Sequence, residues 1–167
     1  AKSVYNFVFK VTDNFCPSPS VNFNTFTIVV KAPPAVLAAR FKCLDVLPNG
    51  NTSLTFLPPK DVDGDTNKYF KSFYIYRSTT GTGGPYTLVD SVKGFNIMNY
   101  DTVIHYTDIG ANANAGSVSY YITTGSGCDL LPREISDTLS TIYLNVSQVG
   151  NDASLTWNAL EVPLHSS

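Results

Sequence analysis

Residues 44–56 read LDVLPNGNTSLTF, a turn sequence between two runs in which apolar and polar residues alternate. Asn-Gly between alternating runs is a strong short-range signal for a β-hairpin, and a period of two is typical of half-buried strands. Leu44 and Val46 then share one face of the first strand, and Leu54 and Phe56 share one face of the second. The segment therefore predicts a hairpin with one apolar face.

The same pattern returns at residues 144–157 as LNVSQVGNDASLTW. Strand, turn and register correspond between the two copies, with one extra residue in the second. The matching residues are Leu44 and Leu144, Val46 and Val146, Gly50 and Gly150, Asn51 and Asn151, and Ser53–Phe56 and Ser154–Trp157. A period near 100 residues is the size of one sandwich domain and lies well beyond the roughly 20–50 residues of solenoid repeats. We interpret the pair as a tandem repeat in which Phe56 and Trp157 each lie in a core.

Seven strand signals, separated by Gly-, Pro- and Asn-rich turns, follow one another through the middle of the chain. They cover residues 40–48, 52–59, 70–78, 86–92, 97–108, 117–124 and 136–146. Short strands with turns at intervals of about 8–12 residues are typical of a β-sandwich. The sequence therefore predicts an all-β fold.

Residues 3–31 predict a separate hairpin that has one aromatic face. Alternate positions of its two strands carry Tyr5, Phe7, Phe9 and Val11, and then Phe26, Ile28 and Val30. Two strands alone are marginally stable in water, so this face needs a partner. Pro33 and Pro34 then predict a stiff, extended linker to the strand series.

Composition excludes several classes of protein. The chain is 43% hydrophobic and 14% charged, with a net charge of −2. A disordered charged tail, a nucleic-acid-binding surface and an anionic-membrane surface each need a stronger charge. No apolar run reaches the roughly 18 residues of a membrane-spanning helix, so we expect no membrane insertion in this stretch.

The chain begins AKSVYNF, without an initiator Met or a signal peptide, and we expect it to be part of a longer protein. The apolar faces of residues 1–31 and 146–167 would then pack on each other or on a neighbouring chain. The second arrangement would make a dimer through these terminal strands.

The acidic segment DVDGDTN offers side-chain oxygens at alternate positions, Asp61, Asp63, Asp65 and Asn67. Calcium takes six to eight oxygen ligands, so this segment is a candidate calcium site. An EF-hand loop needs Gly at its sixth position and Glu at its twelfth, where this chain has Thr66 and Ser72. The alternative is a solvated loop that binds no metal, and we expect no other cofactor.

The residue patterns of common enzymes do not occur in this sequence. His105 lies on an alternating strand, without the GxSxG or HExxH patterns that would place it in a hydrolase. We therefore expect His105 on the surface of a strand and no catalytic residues. Several tyrosines could stack on sugars or on a protein partner, or pair with each other across strands; they are Tyr74, Tyr76, Tyr86, Tyr100 and Tyr106.

Residues 35–145 resemble a fibronectin type III domain through FLPP after SLT, FYIYRS, GGPYTLV, HYTDIGANANAG and SVSYYITT, in that order. The closest variant is found in large surface and secreted proteins of gliding Bacteroidetes. Residues 1–31 resemble the last strands of an Ig-like domain of the cadherin or PKD type, and residues 146–167 the first strands of a second fibronectin type III module. The resemblance thus divides the chain into domains at 1–31, 32–145 and 146–167, with an Ig-like sandwich flanked by extra hairpins.

The resemblance also implies roles for individual residues. The variant carries a cysteine on its first strand and another after its sixth, which Cys43 and Cys128 match. A disulfide between them would close a long loop and stabilise the domain by about 4 kcal/mol. Phe56 stands where the family usually has Trp. The family's corner tyrosine corresponds to Tyr120, and a shift of one residue to Tyr121 would reverse the face.

The function that the resemblance implies is structural. We expect a non-catalytic spacer or adhesion module of a large bacterial cell-surface or secreted protein, located outside the cell. Its partners would be neighbouring domains of the same polypeptide and a protein or glycan ligand. The alternative is a carbohydrate-binding accessory module of a secreted polysaccharide-degrading enzyme.

Overall fold

The structure, a computed structural model, describes residues 2–14, 16–31, 36–60, 69–94, 97, 99, 101–126 and 134–160. Eleven β-strands lie within these residues, which confirms the all-β fold. The chain divides into two compact units, Ala1–Pro33 and Pro34–Ser167.

The first unit is a single antiparallel hairpin of β1 (Lys2–Thr12) and β2 (Val21–Lys31). Its register pairs Phe7 with Phe26 and so gathers the predicted aromatic residues on one face. The Phe26 ring stacks on those of Phe7 and Phe9, with centroids 5.2 and 5.1 Å apart. Phe7 and Phe9 nevertheless remain 43% and 50% exposed, so stacking within the hairpin leaves this aromatic face open.

The second unit is built around two antiparallel sheets. One has the order β3-β4-β7 and the other β6-β5-β8-β9. Their strands are β3 (Arg40–Val46), β4 (Thr52–Leu57), β5 (Phe70–Ser78), β6 (Thr87–Val92), β7 (Ile104–Asp108), β8 (Ser119–Ser126) and β9 (Leu139–Ser140).

The two sheets form a sandwich around one apolar core, and each central strand supplies its alternate residues. Leu54, Phe56, Phe73, Ile75, Tyr120 and Ile122 are all fully buried. The rings of Phe56 and Phe73 meet edge to face, with centroids 5.3 Å apart. Phe56 therefore occupies the core position that the sequence predicts.

The turn between β3 and β4 depends on two residue types. The Gly50 amide donates to the Leu47 carbonyl, 2.9 Å away, around Pro48 and Asn49. Proline has the φ angle that the first central position of a type I turn requires. Gly50 then takes a φ of +80°, which closes a three-residue hairpin loop of a common kind.

A second hairpin, of β10 (Leu144–Val149) and β11 (Asp152–Trp157), follows the sandwich. Its turn has two residues, with positive φ at Gly150. Leu144 pairs with Trp157, whereas Leu44 pairs with Leu54 rather than with the matching aromatic residue. The prediction of an identical turn and register was therefore wrong. The first copy has the turn-forming Pro48, while the second has Gln148, which continues the strand.

The predicted seventh strand, residues 136–146, is divided in two. Its first part, β9, pairs with β8, and its last residues belong to β10. At Thr141 the side-chain oxygen, rather than the carbonyl, accepts the amide hydrogen of Val118 at 2.9 Å. The Thr141 carbonyl instead accepts the Ser117 hydroxyl at 2.7 Å, so the regular backbone ladder ends there.

The apolar face of the second hairpin is exposed within the described residues. Leu144, Val146 and Leu155 are 51–58% exposed, and Trp157 is 66% exposed. The prediction that Trp157 lies in a core is therefore wrong for this structure, although its counterpart Phe56 is fully buried.

We predict that truncating these two matched aromatic residues has different effects on stability. Phe56→Ala should lower the free energy of unfolding by about 3–5 kcal/mol, because it leaves a cavity beside Phe73. Trp157→Ala should lower it by less than about 1 kcal/mol, as is usual for exposed side chains. Chemical denaturation of both variants checks this prediction, and equal losses would contradict it.

Candidate functional site

A buried hydrogen-bonded cluster connects the two sheets at one end of the sandwich. Asp108, 2% exposed at the end of β7, accepts hydrogen bonds from Arg77 Nη1 at 2.7 Å and from the Tyr120 hydroxyl at 2.8 Å. Its other carboxylate oxygen accepts the Gly110 amide at 3.0 Å. The Tyr120 oxygen lies 2.6 Å from Thr52 Oγ1. Asp108 and Thr52 belong to one sheet, while Arg77 and Tyr120 belong to the other.

The protons of this cluster can be assigned by counting donors. Tyr120 has a single hydroxyl proton, and the carboxylate of Asp108 can only accept. The Tyr120 proton therefore points to Asp108, and Thr52 donates its proton to the Tyr120 oxygen. The hydroxyls of Tyr120 and Thr52 thus each donate to a residue in the opposite sheet.

Burial raises the pKa of Tyr120, and its hydrogen bond to Asp108 raises it further, against the opposing effect of Thr52. Tyr120 therefore stays neutral at physiological pH. Arg77 balances the charge of Asp108, which would otherwise be costly to bury. Since Tyr120 and Thr52 are both fully buried, a dissolved substrate cannot reach their hydroxyl groups. The arrangement suits a structural link between the sheets.

The structure also decides which of two neighbouring tyrosines points inward. Tyr120 is fully buried, whereas Tyr121 is half-buried on the outer face of the four-stranded sheet. Tyr121 stacks on Tyr76 of β5, with ring centroids 4.9 Å apart, and Tyr86 lies against Tyr121 at 4.6 Å. Of the two candidates for the corner tyrosine, Tyr120 is therefore the one that faces the core, while the family role itself stays a prediction.

The other candidate tyrosines make close contacts within the sheets. The Tyr74 ring lies so close to Gly125 that a Cβ atom there would collide with it. Tyr106 is half-buried, and burial, together with Asp90 and Asp108, raises its pKa to about 12. Tyr100 lies outside the described residues. Cross-strand pairing, one of the two predicted arrangements, is therefore present for Tyr76 with Tyr121.

The candidate calcium ligands, Asp61, Asp63, Asp65 and Asn67, lie outside the described residues, and the calcium site stays a prediction. Across the part of the chain that the structure describes, no group of three or more His, Cys, Asp or Glu side chains is placed to hold a metal ion.

Cys43 and His105 lie in one row across the outer face of the three-stranded sheet, on either side of Thr55. Cys43 has a free, exposed thiol whose Sγ donates to Asp45 Oδ2 at 3.3 Å. Partial burial and this carboxylate raise the pKa of the thiol, which disfavours the reactive thiolate. Since Cys128 is outside the described residues, the Cys43–Cys128 disulfide stays a prediction.

His105 is exposed on β7, as predicted, with Nδ1 3.2 Å from Thr55 Oγ1.

Among the described residues, no helix is long and apolar enough to cross a lipid bilayer.

No protein-family model matches the sequence, and a search of curated proteins finds no match either.

We predict that Tyr120→Phe lowers the free energy of unfolding by about 2 kcal/mol at pH 8, because it removes one hydrogen bond to Asp108 and leaves the buried Thr52 hydroxyl without its partner. An unfolded tyrosine loses its proton near pH 10, before the folded protein with its raised Tyr120 pKa does. The unfolded state then gains stability relative to the folded state, so the contribution of this hydroxyl is complete below pH 10 and decreases above it.

The difference in stability between the wild type and Tyr120→Phe should therefore shrink between pH 8 and pH 11, as measured by chemical denaturation. Tyr121→Phe is the matched control and should cost less than about 1 kcal/mol at pH 8. Equal losses in the two variants, or a difference that grows with pH, would contradict the assignment.

Proposed function

We propose that this chain is a non-catalytic structural spacer or adhesion module of a large bacterial cell-surface or secreted protein, as its resemblance to fibronectin type III domains implies. The observation that carries the proposal is a sandwich with its own core, preceded and followed in the sequence by hairpins whose apolar faces are exposed among the described residues. A seven-stranded sandwich of two antiparallel sheets is the architecture expected of such modules, and it supports the family assignment.

The uncovered faces support a multidomain arrangement. On the aromatic face of the first hairpin, Tyr5, Phe7, Phe9, Phe26 and Ile28 are each 43–52% exposed. Contiguous apolar patches of this kind on soluble proteins usually mark an interaction surface. We propose that neighbouring domains of the same polypeptide cover them, and the alternative is a dimer of two copies.

The Tyr120–Asp108 cluster supports a mechanical role. A tensile load on the chain acts between the first strand of the sandwich and the segment that follows its last strand. Hydrogen bonds between the sheets resist the separation of those sheets, in addition to the apolar core. A spacer needs this property, and it needs no ligand to act.

We predict that the chain, stretched between handles at its two ends, unfolds its sandwich in one cooperative step. Residues 36–140 would release about 350 Å of chain at roughly 3.4 Å per residue. Single-molecule force spectroscopy measures this length. Gradual extension without a cooperative step would contradict a spacer role.

The same sample tests the carbohydrate-binding alternative. If the module acts as a spacer alone, we expect no binding to insoluble or soluble polysaccharides. Binding that Tyr76→Ala abolishes, while the far-ultraviolet spectrum stays unchanged, would favour an accessory module and overturn the proposal.

A further inference from the structure

The segment between the sandwich and the second hairpin is held by the sandwich at one buried residue. Thr141 is 2% exposed. Its amide donates to the Val118 carbonyl at 2.9 Å, and its hydroxyl oxygen accepts the Val118 amide hydrogen at 2.9 Å. Its carbonyl accepts the Ser117 hydroxyl at 2.7 Å. Thr141 is therefore bound to the residues that lead into β8 through its amide, carbonyl and side chain.

The same segment is held from the hairpin side by one asparagine. Asn158 directly follows β11, and its Nδ2 donates to the Thr141 carbonyl at 3.0 Å. Its Oδ1 accepts the Tyr143 amide hydrogen at 2.7 Å. The Thr141 carbonyl thus receives one hydrogen bond from the sandwich, through Ser117, and one from the end of the hairpin.

These contacts attach the hairpin at two points. The first is covalent, through Ile142 and Tyr143 into the start of β10. The second is the hydrogen-bonded contact of Asn158, at the end of β11. A hairpin joined by a single flexible peptide segment can rotate about its backbone dihedrals. The hydrogen bond from Asn158 back to Thr141, a residue held by the sandwich, closes a ring around Ile142 and Tyr143 and restricts that rotation.

A cavity of about 180 Å³ lies within this joint. Ser117 lines it from the sandwich side, and Tyr143, Asn145, Thr156, Trp157 and Asn158 line it from the linker and the hairpin. The sandwich and the hairpin therefore meet around a defined space, with Trp157 on one wall.

We propose that Thr141 and Asn158 form a fixed joint that holds the second hairpin in one orientation on the sandwich. This inference rests on the proposed spacer function and adds an orientation to it. If β10 and β11 begin a further module, a fixed joint gives the spacer a defined direction as well as a length. A chain of freely rotating modules would have only a length.

Residual dipolar couplings of the weakly aligned, full chain test the joint. In the wild type, one alignment tensor should fit the backbone amides of both the sandwich and β10–β11. Asn158→Ala should reduce the magnitude of the hairpin tensor at least twofold while the sandwich couplings stay unchanged. It should also accelerate hydrogen exchange of the Tyr143 amide at least tenfold.

Ser147→Ala, at an exposed position of β10 away from the cavity lining, is the matched control and should leave both measurements unchanged. If Asn158→Ala unfolds the hairpin, Asn158→Asp decides the question. This variant keeps an acceptor for Tyr143 but loses the donor to Thr141. It should therefore preserve the slow exchange of the Tyr143 amide and still reduce the hairpin tensor.

Separate tensors in the wild type, or an unchanged hairpin tensor in both Asn158 variants, would overturn the joint. The force measurement reports on the sandwich core rather than on orientation. A cooperative sandwich with a freely rotating hairpin would therefore reject the joint and leave the spacer role standing, whereas gradual extension would reject the spacer role itself.

Discussion

The Tyr120 hydroxyl is the polar contact on which the arrangement of the two sheets depends. It donates to Asp108 and accepts from Thr52 in the interior, where an unpaired polar group would be costly. The apolar core attracts the sheets to each other, but hydrophobic attraction has no preferred direction. A hydrogen bond of defined length between named atoms adds that direction, so it helps to set the register of one sheet against the other.

The β3–β4 and β10–β11 hairpins share a sequence pattern, but among the described residues only the first has an opposing sheet. Thr52–Leu57 and Asp152–Trp157 both alternate apolar and polar residues, yet the first strand buries its apolar face and the second exposes it. The difference lies in what covers the strand, since Phe56 meets Phe73 while Trp157 lines a shallow cavity. Strand formation is thus a local property of these segments, whereas burial depends on their surroundings.

Much of the fold could be predicted from the sequence, because alternation and turn residues act locally. The hairpin of residues 3–31 and the strands around Phe56 follow from a period of two. The choice of Tyr120 over Tyr121 comes from the family resemblance, because periodicity alone does not decide between neighbouring residues. The partners of Tyr120 could not be predicted in this way. Asp108 and Arg77 are 31 residues apart, and charged residues are usually exposed, so no local pattern marks Asp108 as buried or Arg77 as its partner.

The division of the last predicted strand into β9 and β10 could not be predicted from local sequence patterns either. Residues 136–146 alternate well enough to be one strand. At Thr141, however, the hydroxyl oxygen accepts the Val118 amide hydrogen in place of the backbone carbonyl. Such competition between side-chain and backbone hydrogen bonds is common for Ser and Thr, and it depends on which residue lies opposite. The candidate calcium ligands and Cys128, the expected partner of Cys43, lie outside the described part of the chain, so the calcium site and the disulfide stay predictions.

The central claim is that the hydroxyl groups of Tyr120 and Thr52 act together across the interior. A double-mutant cycle of Thr52→Val and Tyr120→Phe, read by chemical denaturation at pH 8, measures this coupling directly. We expect the double variant to be less destabilised than the sum of the single variants by about 1 kcal/mol or more. Losses that add within about 0.3 kcal/mol would show that the two hydroxyls contribute independently, and would contradict the account.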